Sequence, residues 1–430
     1  MARTCFVAAA LLVGCGGPND AGPDAAPVYN GGSIEIPGCG YTVTTPMGAT
    51  APEMGSSVFG VDPTPRMIHL GLTGDPRTTM VASWRTMDET TAATTIKYGK
   101  GTALDQTATG ITFTYEADFS GKVIPRVHEA HLCGLDPDTT YSYQVGSIEA
   151  NGTEHLSPTY QFRTAPDVTA DPSAQVVIGV VGDCRGAYDV WGQIIEQVQA
   201  KSPDLILFSG DMVELGQIQT NWDAFFEAAE PLLTKVPMVS ALGNHEVNAV
   251  NYYAQLALPG DEEDYSLDYG RAHIVVLNDS PDDISEIAGK AKTFLSSDLA
   301  AHSTATWKLA LHHRALYSSS THGSQTDLQQ AWGPIYDQYG VDFVLNGHDH
   351  DYERSKPLKA GAVQASMADG TVYLVQGGAG ADLYPAGTNA FTELSDSSHG
   401  ATVLTIGPSR LDAVVFRETG ATIDSFSKTK

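Results

Sequence analysis

The sequence predicts a β-sandwich followed by an α/β layered domain, in which a sandwich of β-sheets is flanked by helices. Three observations predict it. Residues 65–166 hold short β-rich runs broken by turn residues. From Ser173 onward continuous apolar runs alternate with stretches of helical spacing. Each later apolar run then ends in a small cluster of Asp, Asn or His.

The organisation reads as residues 1–15, a signal; 16–64, a tether and extension; 65–166, the sandwich; and 174–430, the α/β domain. The opening "MARTCFVAAALLVGC" has Arg3 and an apolar run too short to span a bilayer, so it reads as a secretory signal. Leu12-Val13-Gly14-Cys15 resembles a bacterial lipobox, which implies lipidation of Cys15, and a Gly/Pro/Asp-rich tether follows to Pro27. A plain signal peptide with a chance cysteine is the competing reading. The lipobox implies an exported protein of the cell envelope, lipid-anchored in a bacterial membrane through Cys15.

In the sandwich region, "TTMVASWRT" (Thr78–Thr86), "TTIKYG" (Thr94–Gly99) and "SPTYQFRTAP" (Ser157–Pro166) read as strands. "RVHEAHLCGLDPDTTYSYQVG" (Arg126–Gly146) alternates around a Leu-Asp-Pro-Asp turn, and "GLDPDTTYSYQVG" resembles the tyrosine-bearing turn of fibronectin type III domains. In the second region "AQVVIGVVGD" (Ala174–Asp183), "DLILFSGD" (Asp204–Asp211), "VPMVSALGNHE" (Val236–Glu246), "WKLALHH" (Trp307–His313) and "VDFVLNGHDH" (Val341–His350) read as buried strands. Val190, Trp191, Ile194, Ile195 and Val198 mark one helix, and Phe225, Phe226, Ala229, Leu232 and Leu233 another. "DLQQAWGPIYDQYG" is a third helical stretch.

Composition narrows the partners. The formal charge is −27, from 24 Lys+Arg against 51 Asp+Glu, which argues against nucleic acid held on a basic surface. Bound metal ions would still attract an anionic small molecule. Of five cysteines, Cys5 and Cys15 lie in the signal; a Cys39–Cys133 bridge is expected in an exported chain, with Cys184 left as a buried thiol.

The polar clusters carry the chemistry. They are "GDCR" (Gly182–Arg185), "GDMVELG" (Gly210–Gly216), "GNHE" (Gly243–Glu246), "HHR" (His312–Arg314) and "GHDH" (Gly347–His350). Ligand sites in open α/β sheets form at the carboxyl ends of strands, so these clusters can converge. Carboxylate, carboxamide and imidazole suit divalent first-row metals, and no thiolate set points to a structural zinc site.

The order GD…GD…GNHE…H…GHxH resembles the metallophosphoesterase (calcineurin-like) superfamily. "GHDHDYERS", "HRALYSS" (His313–Ser319), "HLGLTGDPRTTMVASW" (His69–Trp84) and "GTVYLVQGGAGA" (Gly370–Ala381) more narrowly resemble purple acid phosphatases, over residues 65 to 430. The resemblance implies two metal ions (Fe, Zn, Mn or similar). Asp183 and His350 would hold the first, Asn244, His313 and His348 the second, and Asp211 would bridge them. His313 fits the family's His-Arg or His-Ser motif better than His312. His245 is implied to contact substrate phosphate, and His245 or His322 would protonate or hydrogen-bond the leaving oxygen; a solvated loop histidine is the other reading of His322.

One departure stands out. The family's iron-binding tyrosine is Glu214 here, and the alternative D-x-H histidine is Arg185. Glu214 or water would fill the first metal's fourth position, and Arg185 is either a phosphate clamp or a surface ion pair. The resemblance implies a phosphomonoesterase in which a metal-bridging hydroxide attacks phosphorus in line, with a small-molecule phosphate ester as partner. Phosphodiesterase or nucleotidase activity is the alternative on the same framework. A rival of another class is a lipid-anchored surface-binding protein with a degenerate metal site.

Overall fold

The computed structural model describes residues 32–45, 60–115, 125–280 and 284–430. The signal, Cys15 and the tether to Pro27 lie outside these residues. Residues 60–115 and 125–163 form two antiparallel sheets. One orders Asp62–Gly71, Thr79–Met87, Arg126–Cys133 and Ile111–Thr114; the other is built around Thr91–Lys100 and Thr140–Glu149. Their inner faces meet through Trp84, whose indole Nε1 donates to Ser147 Oγ of the opposite sheet at 3.0 Å. The tyrosine turn has the expected bond: the Asp136 amide donates to Tyr141 Oη at 2.9 Å. Cys39 and Cys133 are bridged, with Cα atoms 5.2 Å apart, and Cys184 is a free buried thiol.

The sandwich docks on the helix Gln219–Leu233. Arg66 pairs with Glu227 at 2.7 Å, the buried Arg85 pairs with Asp223, and Tyr143 Oη donates to the Thr234 carbonyl at 2.7 Å. These contacts border an apolar core shared by the two domains, in which His69 stacks on Phe226 with ring centroids 4.0 Å apart.

The second domain has two mixed sheets. In one, Met238–Ser240, Leu205–Phe208 and Val176–Val181 run parallel, and Gly400–Ile406, Arg410–Arg417 and Thr422–Thr429 continue antiparallel. In the other, Ala272–Val276, Trp307–Leu311, Phe343–Asn346 and Val372–Gln376 are parallel, with antiparallel strands at both edges. Alternation explains why these strands read as unbroken apolar runs. Ile274, Leu309, Leu311 and Leu345 join the core shared with the first sheet. Val275, Ala310 and Val344 face the opposite way, onto Leu295, Leu299, Trp332 and Tyr336 of the covering helices.

Two local expectations are corrected. The strand expected over Val236–Glu246 is only Met238–Ser240, followed by a 3-10 turn at Asn244–Glu246. The third helical stretch is two helices, Thr326–Ala331 and Gly333–Tyr339, because Pro334 cannot continue the first and starts the second.

At the start of the Ala272–Val276 strand, His273 Nδ1 lies 2.8 Å from Asp268 and Nε2 lies 2.7 Å from Asp298, which also faces His302 Nδ1 at 3.3 Å. Burial opposes the imidazolium, but the hydrogen bonds to Asp268 and Asp298 outweigh it and raise His273 to about 9. A raised folded pKa stabilises fully below the ordinary value of 6.5, and that stabilisation is lost as pH rises through 9. Allowing for screening at the exposed Asp268, the loss is about 2 kcal/mol. Urea unfolding at a series of pH values should show it, and His273→Gln should flatten the slope in this window.

Candidate metal centre

Every ligand candidate sits just past the carboxyl end of a parallel strand or the turn that follows. Asp183 follows Val176–Val181, Asp211 follows Leu205–Phe208, Asn244 opens the 3-10 turn, His313 follows Trp307–Leu311, and His348 follows Phe343–Asn346. Asp183, Asp211 and His348 adopt positive φ (57°, 59° and 71°), a conformation that costs energy in non-glycine residues and is typical of functional turns. Ligand atoms of the buried Asp183, Asp211 and His313 all lie within 4.8 Å of one another.

One half of the centre is a set of converging acceptors. His313 Nδ1 donates to the Ser209 carbonyl at 2.8 Å, which turns its Nε2 inward. There Nε2 lies 3.0 Å from Asn244 Oδ1, 3.2 Å from His348 Nδ1 and 3.4 Å from Asp211 Oδ1. Burial disfavours charge on His313, yet Asp211 and then Asp183 outweigh it and raise the imidazole to about 10. Burial, reinforced by His313, depresses His348 to about 2. Without metal, the protonated Nε2 of His313 faces these three acceptors; a divalent ion would take that proton's place, and the carboxylate, carboxamide and imidazole donor set fits one.

The other half is built differently. His350 Nδ1 donates to the Asp382 carbonyl at 2.7 Å, so its Nε2 faces Asp183 Oδ1 at 3.6 Å. Burial lowers His350 to about 4. Asp183 accepts the His348 amide at 3.0 Å, and burial holds its carboxyl well above the usual range. Arg185 reaches into this half: its guanidinium is 3.0 Å from Glu214 Oε2, 3.5 Å from His350 Nε2 and 3.6 Å from Asp211 Oδ2. Glu214, half-exposed, therefore meets the centre through Arg185.

Two histidines border the centre. His245 Nδ1 donates to the Glu214 carbonyl at 2.7 Å, and its Nε2 lies 3.9 Å from Asp211 Oδ2. His322, exposed, stacks on His348 with ring centroids 4.0 Å apart. His312 points away, with Nδ1 3.0 Å from the buried Asp279 carboxylate.

Sequence reasoning missed three contributors. Glu246 is fully buried and accepts the amides of Gly243, Asp211 and Met212 at 2.7, 2.9 and 2.8 Å. Burial, then the Asp211 charge, lifts it to about 7. Tyr384 stacks on His350 at 4.1 Å and meets His322 edge-on at 5.4 Å, although "ADLYPAG" carries no motif. Asp349, the middle residue of "GHDH", positions the His322 loop by accepting its amide at 2.8 Å.

Comparison with known proteins agrees with this architecture. Residues 65–164 match the family described as purple acid phosphatase, N-terminal domain, and residues 176–352 match calcineurin-like phosphoesterase. Residues 65–164 are thus a purple acid phosphatase N-terminal domain, joined to a calcineurin-like metallophosphoesterase domain over residues 176–352. Among curated relatives, probable inactive purple acid phosphatase 1 of Arabidopsis thaliana is 28% identical over 310 residues, 60% of this chain and 49% of that protein. The chain thus spans about half the length of that relative. Purple acid phosphatase 22 of the same plant is 26% identical over 71% of this chain and 72% of its own length. Among solved structures, purple acid phosphatase PPD1 from yellow lupin (Lupinus luteus) superposes with a TM-score of 0.74 at 21% identity, covering 86% of this chain and 75% of that one. That likeness shows the fold.

Proposed function

We propose that this metallophosphoesterase hydrolyses phosphoric esters, with small phosphomonoesters as its preferred substrates. The observation that carries the reading is the convergence of His313, Asn244, His348 and Asp211 on one point, beside Asp183 and His350. Divalent ions held by these residues would lower the pKa of a water and neutralise charge developing on the phosphate. His245 and His322, at the rim, are placed to hydrogen-bond the phosphate and to protonate the leaving oxygen. Tyr384 lies between His350 and His322, stacked on the first and edge-on to the second. The Cys39–Cys133 bridge supports an exported protein in an oxidising compartment, consistent with a lipid anchor at Cys15.

The test is turnover of a phosphomonoester and a phosphodiester after Zn, Mn or Fe is supplied. Asp211→Asn keeps the side-chain volume and removes the central charge. It should lower turnover by about 10²–10³-fold or more, with an unchanged circular dichroism spectrum. Turnover surviving in that variant would sink the reading. Faster diester cleavage would instead favour a phosphodiesterase. The departure at Arg185 and Glu214 favours a surface-binding protein with a silent centre as the second reading; folded, metal-supplied wild type inert on both esters would shift belief to it.

A further inference from the structure

We propose that Arg185 supplies the second positive charge of the centre in place of a second metal ion, so that the chain holds one ion, in the half formed by Asn244, His313, His348 and Asp211. The inference rests on the phosphoesterase reading of the site. The two halves differ in their contents. Around His313 Nε2, Asn244 Oδ1, His348 Nδ1 and Asp211 Oδ1 lie at 3.0 to 3.4 Å, and among the described residues neither Lys nor Arg pairs with these atoms. Around His350 Nε2, a guanidinium already stands among the acceptors, facing that nitrogen, Asp211 Oδ2 and Glu214 Oε2.

Sequence and geometry agree on this point. The position that carries the iron-binding tyrosine in purple acid phosphatases is Glu214, and Glu214 holds Arg185 at 3.0 Å. The position that carries a histidine in other metallophosphoesterases is Arg185 itself. Both departures therefore belong to one ion pair, which replaces a metal ligand with a fixed cation. A metal bonded to His350 Nε2 and Asp211 Oδ2 at about 2.0–2.2 Å would lie in contact with a like-charged group. Guanidinium stays charged at every working pH, so the unit of charge it brings does not depend on metal supply. Its side chain is only 18% exposed, and the Asp211 carboxylate that it faces would be shared with the ion.

Metal content decides it. The full-length protein would be saturated with Mn²⁺, freed of excess by gel filtration, and analysed by elemental analysis and electron paramagnetic resonance. Wild type should retain about one ion per chain, with the six-line signal of an isolated Mn²⁺. Arg185→His, which restores a ligand, should retain twice as much and show the broadened signal of a coupled pair. Arg185→Gln, which removes the charge at similar length, should move the same way if the histidine variant folds poorly. Two tightly held ions in wild type would overturn the proposal and leave the phosphoesterase reading standing, as would folded variants that stay at one ion. Wild type that retains no ion would overturn both. One ion per chain in protein inert on every ester would support the charge substitution and overturn only the hydrolase reading.

Discussion

Gly347→Ala should strip the centre of metal and activity although it alters no ligand. A Cβ at this position would run into Asp183 Oδ2 and would lie 2.8 Å from Ser209 Oγ. The backbone has little freedom to retreat. The Gly347 amide donates to the His313 carbonyl at 3.0 Å, the Asp349 amide returns to the Gly347 carbonyl at 2.9 Å, and His348 is already at positive φ. Asp183 must therefore move, and with it the carboxylate that accepts the His348 amide. Ligand positions tolerate only about 0.2 Å of error, so metal affinity should fall about 10–100-fold, with an overpacking cost of about 1–3 kcal/mol. Elemental analysis and urea unfolding of the same sample would measure both. Gly192→Ala is the control: its Cβ meets nothing within 4 Å on the helix Tyr188–Gln199, and it should be neutral or slightly stabilising. Full metal content in Gly347→Ala would show that the turn gives way after all.

The contrast between these two glycines illustrates what the sequence could say. Strands that are buried on both faces and end in Asp, Asn or His were legible, because an apolar run followed by a ligand type is a local signal. The edges were not. Tyr265–Tyr269 carries polar residues inside a short strand, and Thr422–Thr429 is rich in Ser and Thr with a half-exposed pattern. No local signal places Gly400–Ile406 beside Val176–Val181, since that pairing joins residues more than two hundred positions apart and depends on the whole sheet. The identities at Arg185 and Glu214 were legible as a departure from a family pattern. Their pairing was not, because residues 29 apart meet only when two strand ends lie side by side. Tyr384 was invisible for the same reason.

Glu246→Ala should be among the most destabilising single changes in the second domain. Its carboxylate satisfies three buried amides, those of Gly243, Asp211 and Met212, and so closes the loops that carry two ligand residues. Alanine leaves all three without that acceptor, and each buried orphan costs about 1–3 kcal/mol, so a loss of about 3–9 kcal/mol is expected. Glu246→Gln separates charge from geometry. It removes the same charge, and with it the repulsion from Asp211 that helps raise Glu246 to about 7. The carboxamide oxygen can still accept the Gly243 and Asp211 amides, but its NH₂ group then confronts the Met212 amide, donor to donor. Glutamine should therefore cost about 1–3 kcal/mol, clearly less than alanine. Were repulsion between Glu246 and Asp211 the dominant effect, both variants would stabilise the metal-free protein. Urea unfolding after chelation distinguishes these outcomes, and alanine within about 1 kcal/mol of wild type would mean that the three amides find other partners. The separation between alanine and glutamine measures how far the positive-φ turn at Asp211 depends on a hydrogen-bonded anchor beneath it.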